Sequence, residues 1–319
     1  MYSKESCSSD VGGGDILRFV VIAFVLGALI QLGAVQAGLR DGGRNWLLLT
    51  MWVPTVAALV ASRASRRMAF SALKNVGWRW LVPGLLIGCA PQLVKVALLA
   101  LSGAGSWDTA HFELASDGAS IKAIHKLGVV LGAGEQSFAV FALNLLLSVS
   151  LGATVTALIG GIGEELGWRG FLQPAMERRF GAFKGTVAVG LIWAYWHLPA
   201  NLMGYNDDKH PLWNALVFFP LAVVAMSFGF AWLTRKSKSA WPAALAHGAN
   251  NTIGAAFLMT PNSWSAETAT EVASMLLVST VFVWASLRKR ERGQVEAYTN
   301  ASAVPVTSGV TSVVPQQPA

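Results

Sequence analysis

Read from its N-terminus, the chain alternates long apolar runs with short polar connections, and the runs approach the length a helix needs to cross a bilayer. About 20 predominantly apolar residues cover a ~30 Å hydrocarbon core. Eight segments meet or approach that condition, roughly residues 16–38, 46–61, 80–102, 138–162, 184–203, 212–234, 241–259 and 270–287. The second and seventh are the shortest, and the seventh is interrupted by His247, Asn250 and Asn251. Tryptophans at 46, 80, 213, 241 and 284 fall near run ends, where an indole anchors at the headgroups. The pattern predicts an all-α, polytopic membrane protein of about eight transmembrane helices. It has a polar N-terminal tail over 1–15, a membrane domain over 16–287 and a disordered tail over 288–319. The apolar run of the first segment exceeds the h-region of a signal peptide, so it reads as a span. Residues 103–137, with His111 and His125, read as a solvated external loop.

Composition agrees with this reading. The chain is 54% hydrophobic and only 13% charged, against about 25% charged for an average soluble domain. That leaves too little polar surface for a water-soluble globule, and it excludes a soluble enzyme, a disordered chain and a nucleic-acid binder. The net charge of +7 is instead a topology signal. Eighteen Lys and Arg fall in the tails and even-numbered connections, five fall in the odd-numbered ones, and Lys95 alone lies within a span. Basic connections stay on the cytoplasmic side, so both termini are expected there. Lys95 has no acidic neighbour in sequence and snorkels or pairs with a polar group. Two cysteines, Cys7 in a polar tail and Cys89 in an apolar run, make no disulfide framework.

Ionisable groups inside apolar runs cost at least ~2.5 kcal/mol and are functional candidates by default. Three clusters qualify. In the first, Gly163-Glu164-Glu165-Leu166-Gly167-Trp168-Arg169, a continuing helix sets Glu165 and Arg169 on one face as an ion pair. Glu164, rotated by about 100°, is left for other work. The second holds His197. If the chain turns near residues 179–183, Glu164 lies 17 residues before Gly181 and His197 lies 16 after it, so an antiparallel hairpin brings them level. Pro174 is a place where the first arm can break. In the third, His247 and Asn251 share a helical face, and Asn250 reads as an interhelical hydrogen-bonding residue. Two histidines, a spare carboxylate, an arginine-held carboxylate and an amide suit water activation and oxyanion stabilisation. HExxH, GxSxG and the phosphate-binding P-loop are absent.

These residues resemble the CPBP family of intramembrane proteases, also called the Abi or CAAX prenyl protease type 2 family. Its pattern is EExxxR, then FxxxH, then HxxxN or HxxxD, on separate helices. Glu164, Glu165 and Arg169 match the first motif, His197 the second and His247 with Asn251 the third, within a family-like core over 138–259. Trp193 stands where the family usually has phenylalanine. The resemblance implies peptide-bond hydrolysis in the membrane, with Glu164 as general base and His197 positioning the water. It implies His247 and Asn251 at the oxyanion and Glu165–Arg169 as an organising pair. It equally admits a variant in which Glu164, His197 and His247 bind a divalent metal, zinc, with no organic cofactor. The implied partners are membrane lipid and a membrane-associated peptide or protein, a CAAX-type prenylated tail or a hydrophobic peptide, and no nucleic acid. Length and tail composition favour a bacterial plasma membrane, and the resemblance implies an active site facing the cytoplasmic side. The competing classes are a non-catalytic scaffold or bacteriocin-type immunity protein and a transporter. The latter's paired broken helices are not visible in the sequence.

Overall fold

The computed structural model describes residues 11–38, 43–74, 76–109, 112–115, 118–123, 134–253 and 259–288. Cys7, Arg40, His111, His125, Lys126 and the tail beyond Arg288 lie outside the described residues. The architecture is an all-α membrane fold with two small sheets at its loops. The helices are α1 Gly13–Gln36, α2 Gly43–Thr50, α3 Val53–Ala61, α4 Arg63–Lys74, α5 Leu81–Ser102, α6 Phe138–Thr156 and α7 Ile162–Gly167. They continue as α8 Gln173–Trp196, α9 Leu198–Leu202, α10 Pro211–Trp213, α11 Phe219–Ser237, α12 Trp241–Ile253 and α13 Trp264–Leu287. Five helical stretches among the described residues are long and apolar enough to cross a membrane: Gly13–Gln36, Trp78–Ser102, Phe138–Trp196, Pro211–Ser237 and Trp264–Leu287. The third runs 59 residues because it contains two of the expected spans. Gly181, at φ 78° and ψ 167°, breaks it. The arms fold back on each other there, with Gln173 Nε2 donating to Thr186 Oγ1 at 3.0 Å. Only glycine adopts such a backbone without strain.

The remaining differences from the sequence pattern have local causes. α1 begins at Gly13, inside the expected tail, because the Asp15 carboxylate accepts from the Gly12 N–H at 3.1 Å and closes the first turn. The apolar run at 46–61 is split between α2 and α3, with Pro54 in the first turn of α3. α4 falls in what reads as a basic loop. Its apolar side, Met68, Ala69 and Ala72, is buried while Arg66 and Arg67 face outward, an amphipathic pattern too short and too charged to register as a span. The seventh run ends as a 13-residue helix. Met259, expected at its end, instead lies in strand β5 (Met259–Pro261), antiparallel to β1 (Gly105–Trp107). The 103–137 loop also holds an antiparallel meander of β2 (Phe112–Leu114), β3 (Ser120–Ala123) and β4 (Gly134–Ser137).

α12 sits among its neighbours through small residues. A Cβ on Gly84 of α5 would meet the Pro242 carbonyl oxygen at 2.5 Å, and one on Gly88 would overlap the Ala246 carbonyl. Backbones this close gain dispersion contact where lipid offers no hydrophobic gain over protein. Gly88→Ala is expected to destabilise the fold by about 1–3 kcal/mol, because neither partner atom is a side chain that can swing away. Thermal unfolding in detergent reads this directly, and an unchanged midpoint would refute the packing argument.

Helix continuity from α6 to α8 is maintained through two π-helical turns, Ala157–Gly161 and Trp168–Leu172, which bracket α7. A π turn frees and re-aims backbone carbonyls, and here α3 supplies donors for them. Trp52 Nε1 donates to the Ile159 carbonyl at 2.7 Å, and Thr55 Oγ1 donates to that of Gly163 at 2.6 Å. Pro174 follows the second widened turn and does not break the arm, which continues as α8. The consequence is a rotated, rigidly held α7 carrying both glutamates.

Candidate active site

Glu165 and Arg169 form the ion pair their spacing predicts, Nε to Oε2 at 3.3 Å, with both side chains fully buried. The other carboxylate oxygen of Glu165 accepts from His247 Nδ1 at 3.0 Å. One carboxylate therefore ties α7 to α12. The Arg169 guanidinium also lies over the rings of Trp193 and Phe230, 4.6 and 5.2 Å from their centroids, and reaches Ser227 Oγ at 3.4 Å. An aromatic cage of this kind offsets part of the cost of removing a cation from water. Glu165 is fully used in holding the site together.

Glu164, 2% exposed, has different company. Its Oε2 accepts from the Trp193 indole N–H at 2.7 Å and from that of Trp168 at 3.3 Å. Trp168 lies one turn along the same helical stretch, and Trp193 comes from the returning arm of α8. No cation forms a salt bridge with Glu164 among the described residues. The carboxylate is thus aimed by two neutral donors and keeps its other oxygen for a further partner.

His197 ends α8. Its Nδ1 donates to the Trp193 carbonyl at 2.9 Å. A carbonyl only accepts, so Nδ1 carries the proton and Nε2 of the neutral ring is a base. His247 differs: its Nδ1 carries a proton toward the Glu165 carboxylate, and with a proton on Nε2 as well the ring has a second donor to offer. Trp193 links the two, with ring centroids 6.3 Å from His197 and 5.4 Å from His247. Asn251, one turn beyond His247, lines a cavity instead of the buried cluster, as does Asn250. The Asn250 Oδ1 has no hydrogen-bond partner among the described residues, so the interhelical bond expected of it is not made.

The structure thus gathers Glu164, Glu165, Arg169, His197 and His247 around Trp193, with Asn251 at the edge. The resemblance also admits a metal held by Glu164, His197 and His247. No three His, Cys, Asp or Glu side chains among the described residues are grouped so that they could hold a metal ion. Glu164 Oε2 is moreover already engaged by two indoles.

Several participants escaped the sequence reading. From the sequence Trp168 has no assigned role and Trp193 stands only as a replacement for phenylalanine, although an indole four residues from a buried glutamate on a helix is a usable signal. A second buried pair, Glu177 with Arg235 at 2.5 Å, joins the hairpin to α11 with help from Gln173 and Thr186. Arg235 reads from sequence as a cytoplasmic-loop residue, yet it is 3% exposed, because Glu177 draws it inward. Lys95 does not snorkel. It pairs with Glu271 of α13 at 2.9 Å, a partner 176 positions away that no local pattern reveals.

Residues 138–253 match a family described as type II CAAX prenyl endopeptidase Rce1-like. The chain is also similar to the CAAX prenyl protease 2 of Methanococcus maripaludis, 27% identical over 124 residues that cover 31% of this chain and 45% of the relative. The chain therefore matches less than half the length of that relative.

Proposed function

We propose that this multi-pass membrane protein is an intramembrane endopeptidase using Glu164 as general base, a reading supported by the match of residues 138–253 to the family described as type II CAAX prenyl endopeptidase Rce1-like. The observation that carries the proposal is the contrast between two adjacent buried carboxylates. Glu165 is neutralised and immobilised by Arg169 and His247, whereas Glu164 is oriented by indole N–H groups alone.

In this reading Glu164 takes a proton from water as the oxygen bonds to the scissile carbonyl carbon. The carbonyl electron pair moves onto its oxygen, and His247 and Asn251 are the donors for that developing charge. The C–N bond then breaks, and the proton held by Glu164 reaches the leaving nitrogen with His197 Nε2 positioned to assist. Glu165, itself held by Arg169, keeps His247 protonated and in position throughout. No step passes through a metal. The substrate is a membrane-associated peptide or protein with an extended segment, because helical backbone buries the carbonyl that must be attacked.

The test is cleavage of a quenched fluorescent prenylated peptide by the detergent-purified protein, with metal content and chelator sensitivity measured alongside. Cleavage that survives chelation supports the glutamate route. Cleavage that tracks bound metal overturns it.

Trp193 carries its own prediction. Trp193→Phe keeps the ring and deletes the N–H, removing a hydrogen bond to an ionised group that contributes about 1.5–3 kcal/mol. Turnover is expected to fall roughly 10- to 100-fold, since each 1.36 kcal/mol is a factor of ten in rate. KM should hardly move, while the unfolding temperature should fall modestly with the lost bond. A variant with wild-type kcat would show that the indole only packs.

A further inference from the structure

Gln31 is the one polar side chain of α1 between Arg18 and Gln36, and it is 1% exposed. A buried amide costs free energy unless its donor and its acceptor are both engaged. Its Nε2 donates to the Trp196 carbonyl at 2.9 Å, and its Oε1 accepts from the Ala200 backbone N–H at 3.1 Å. Trp196 and Ala200 stand four apart in the chain, so these are the two groups that a continuous α-helix would join directly. The amide is inserted into the helical ladder at that rung and bridges it. The bridged rung spans His197, where α8 ends and α9 begins. Pro199 already removes the neighbouring rung, since it has no N–H to offer the Tyr195 carbonyl. His197 itself sits at φ -83° and ψ 0°, in the bridge region and not in the α-helical well.

The rest of the buried face of α1 meets the same region. Phe19, Ala23, Gly27 and Gln31 recur every four residues and are buried on one side of the helix. The Ala23 carbonyl accepts from the Trp196 indole N–H at 2.9 Å, and a Cβ on Gly27 would overlap that indole. Trp196 packs edge-on against the His197 ring, centroids 4.8 Å apart, and against Trp168 at 5.6 Å. Phe19 in turn meets Trp168, a donor to Glu164, at 5.5 Å. All of α1 lies outside residues 138–253, which hold every candidate residue of the site. Close packing between membrane helices is achieved with small and apolar side chains and needs no amide. The two bonds of Gln31 therefore ask for another reason, and the turn they open carries His197.

We propose that Gln31 is the positioning residue for His197: by replacing one helical rung with its own amide, it holds the α8–α9 turn open and fixes where the imidazole points. The ring follows that backbone. Its Nδ1 donates to the Trp193 carbonyl one turn back at 2.9 Å, and it packs on Phe219 with centroids 5.2 Å apart. If the Trp196 carbonyl accepted from the Ala200 N–H in the ordinary way, the turn would tighten and His197 would rotate with it. The proposal rests on the protease reading only for its effect on turnover, because the aim of the imidazole is measurable without a substrate.

The test compares Gln31→Met, which keeps the volume and deletes the amide, with Gln31→Asn, whose amide is one methylene too short to span both groups. Leu29→Ala, on the exposed side of α1, is the control. Two readouts are taken on the full chain in detergent. One is the kinetics of cleavage of the quenched fluorescent prenylated peptide. The other is nitrogen NMR of isotope-labelled histidine side chains, with the His197 signals assigned by their loss in His197→Gln. Both Gln31 variants are expected to lower kcat roughly 10- to 100-fold, the cost of a misplacement of about 1 Å, with KM unchanged. Their His197 Nδ1 signal should shift as its bond to the Trp193 carbonyl changes, while the His247 signals stay in place. The unfolding midpoint of Gln31→Met should fall little, since the Trp196 carbonyl and the Ala200 N–H then pair with each other. Leu29→Ala should match wild type in every readout. Unshifted His197 signals in a folded Gln31→Met protein would overturn the proposal, whatever the kcat. If that variant does not fold, Gln31→Asn, which still satisfies one of the two groups, decides by the same signals. Shifted signals in a protein whose wild type cleaves nothing would keep the positioning and remove the protease reading, and cleavage with unshifted signals would do the reverse.

Discussion

Glu164→Gln is expected to lower peptide cleavage by roughly 10²- to 10⁴-fold, the range a positioned general base contributes, while the protein still folds. Glutamine keeps the shape of the side chain, and its amide oxygen can still accept from Trp193 and Trp168, so the indoles are not stranded. What disappears is the lone pair that takes the water proton. Cleavage kinetics measured beside thermal unfolding separate the two effects. A folded Glu164→Gln enzyme within tenfold of wild type would end the assignment of this residue as the base. Glu165→Gln, by contrast, should lose both stability and activity, because it weakens contacts to Arg169 and His247 at once.

Arg169→Ala is expected to carry the largest stability cost of any substitution at the site, about 3–5 kcal/mol. The guanidinium is fully buried, and its removal leaves the Glu165 carboxylate inside the protein with His247 as its remaining partner. It also empties the space beside Trp193 and Phe230. The informative comparison is the pair Glu165→Gln with Arg169→Met. Replacing both charges by neutral groups of similar size should recover much of the stability that Arg169→Ala loses, because no uncompensated charge remains. It should not recover activity, since His247 then has no carboxylate to hold it protonated and in place. Equal destabilisation by the single and double replacements, read from unfolding midpoints, would show that the charge pair is not what organises the site.

Much of the architecture was readable one residue at a time. The apolar runs marked helices because their length matches a hydrocarbon core whatever the neighbouring helices do. The reversal at Gly181 was readable because basic residues flank it and glycine permits its backbone. The Glu165–Arg169 pair was readable because four-residue spacing on a helix brings side chains together without help from any other element. α4 and the five short strands were not, since their apolar faces depend on what packs above them. The seventh run, cut off at Ile253, depends in the same way on a strand pairing between Met259–Pro261 and Gly105–Trp107. Arg235 was misread and the partner of Lys95 was left open for one reason: each is neutralised by a carboxylate far along the chain, Glu177 and Glu271.

The sequence by itself therefore determined that this is a helical membrane protein, that its chain reverses near Gly181, and which charged residues are too costly in hydrocarbon to lack a purpose. Those properties are local, set by transfer energies and helical periodicity acting on neighbouring residues. Only the tertiary structure decided that Glu165, and not Glu164, is held by His247, and that two indoles aim the other carboxylate. It also decided that Asn250 and Asn251 line a cavity beside the cluster. Those properties arise where α7, α8, α11 and α12 converge, and the side chains that meet there are separated by tens of residues. Their partnership is fixed by packing and by the need of each buried polar group for a partner, which no spacing along the chain encodes.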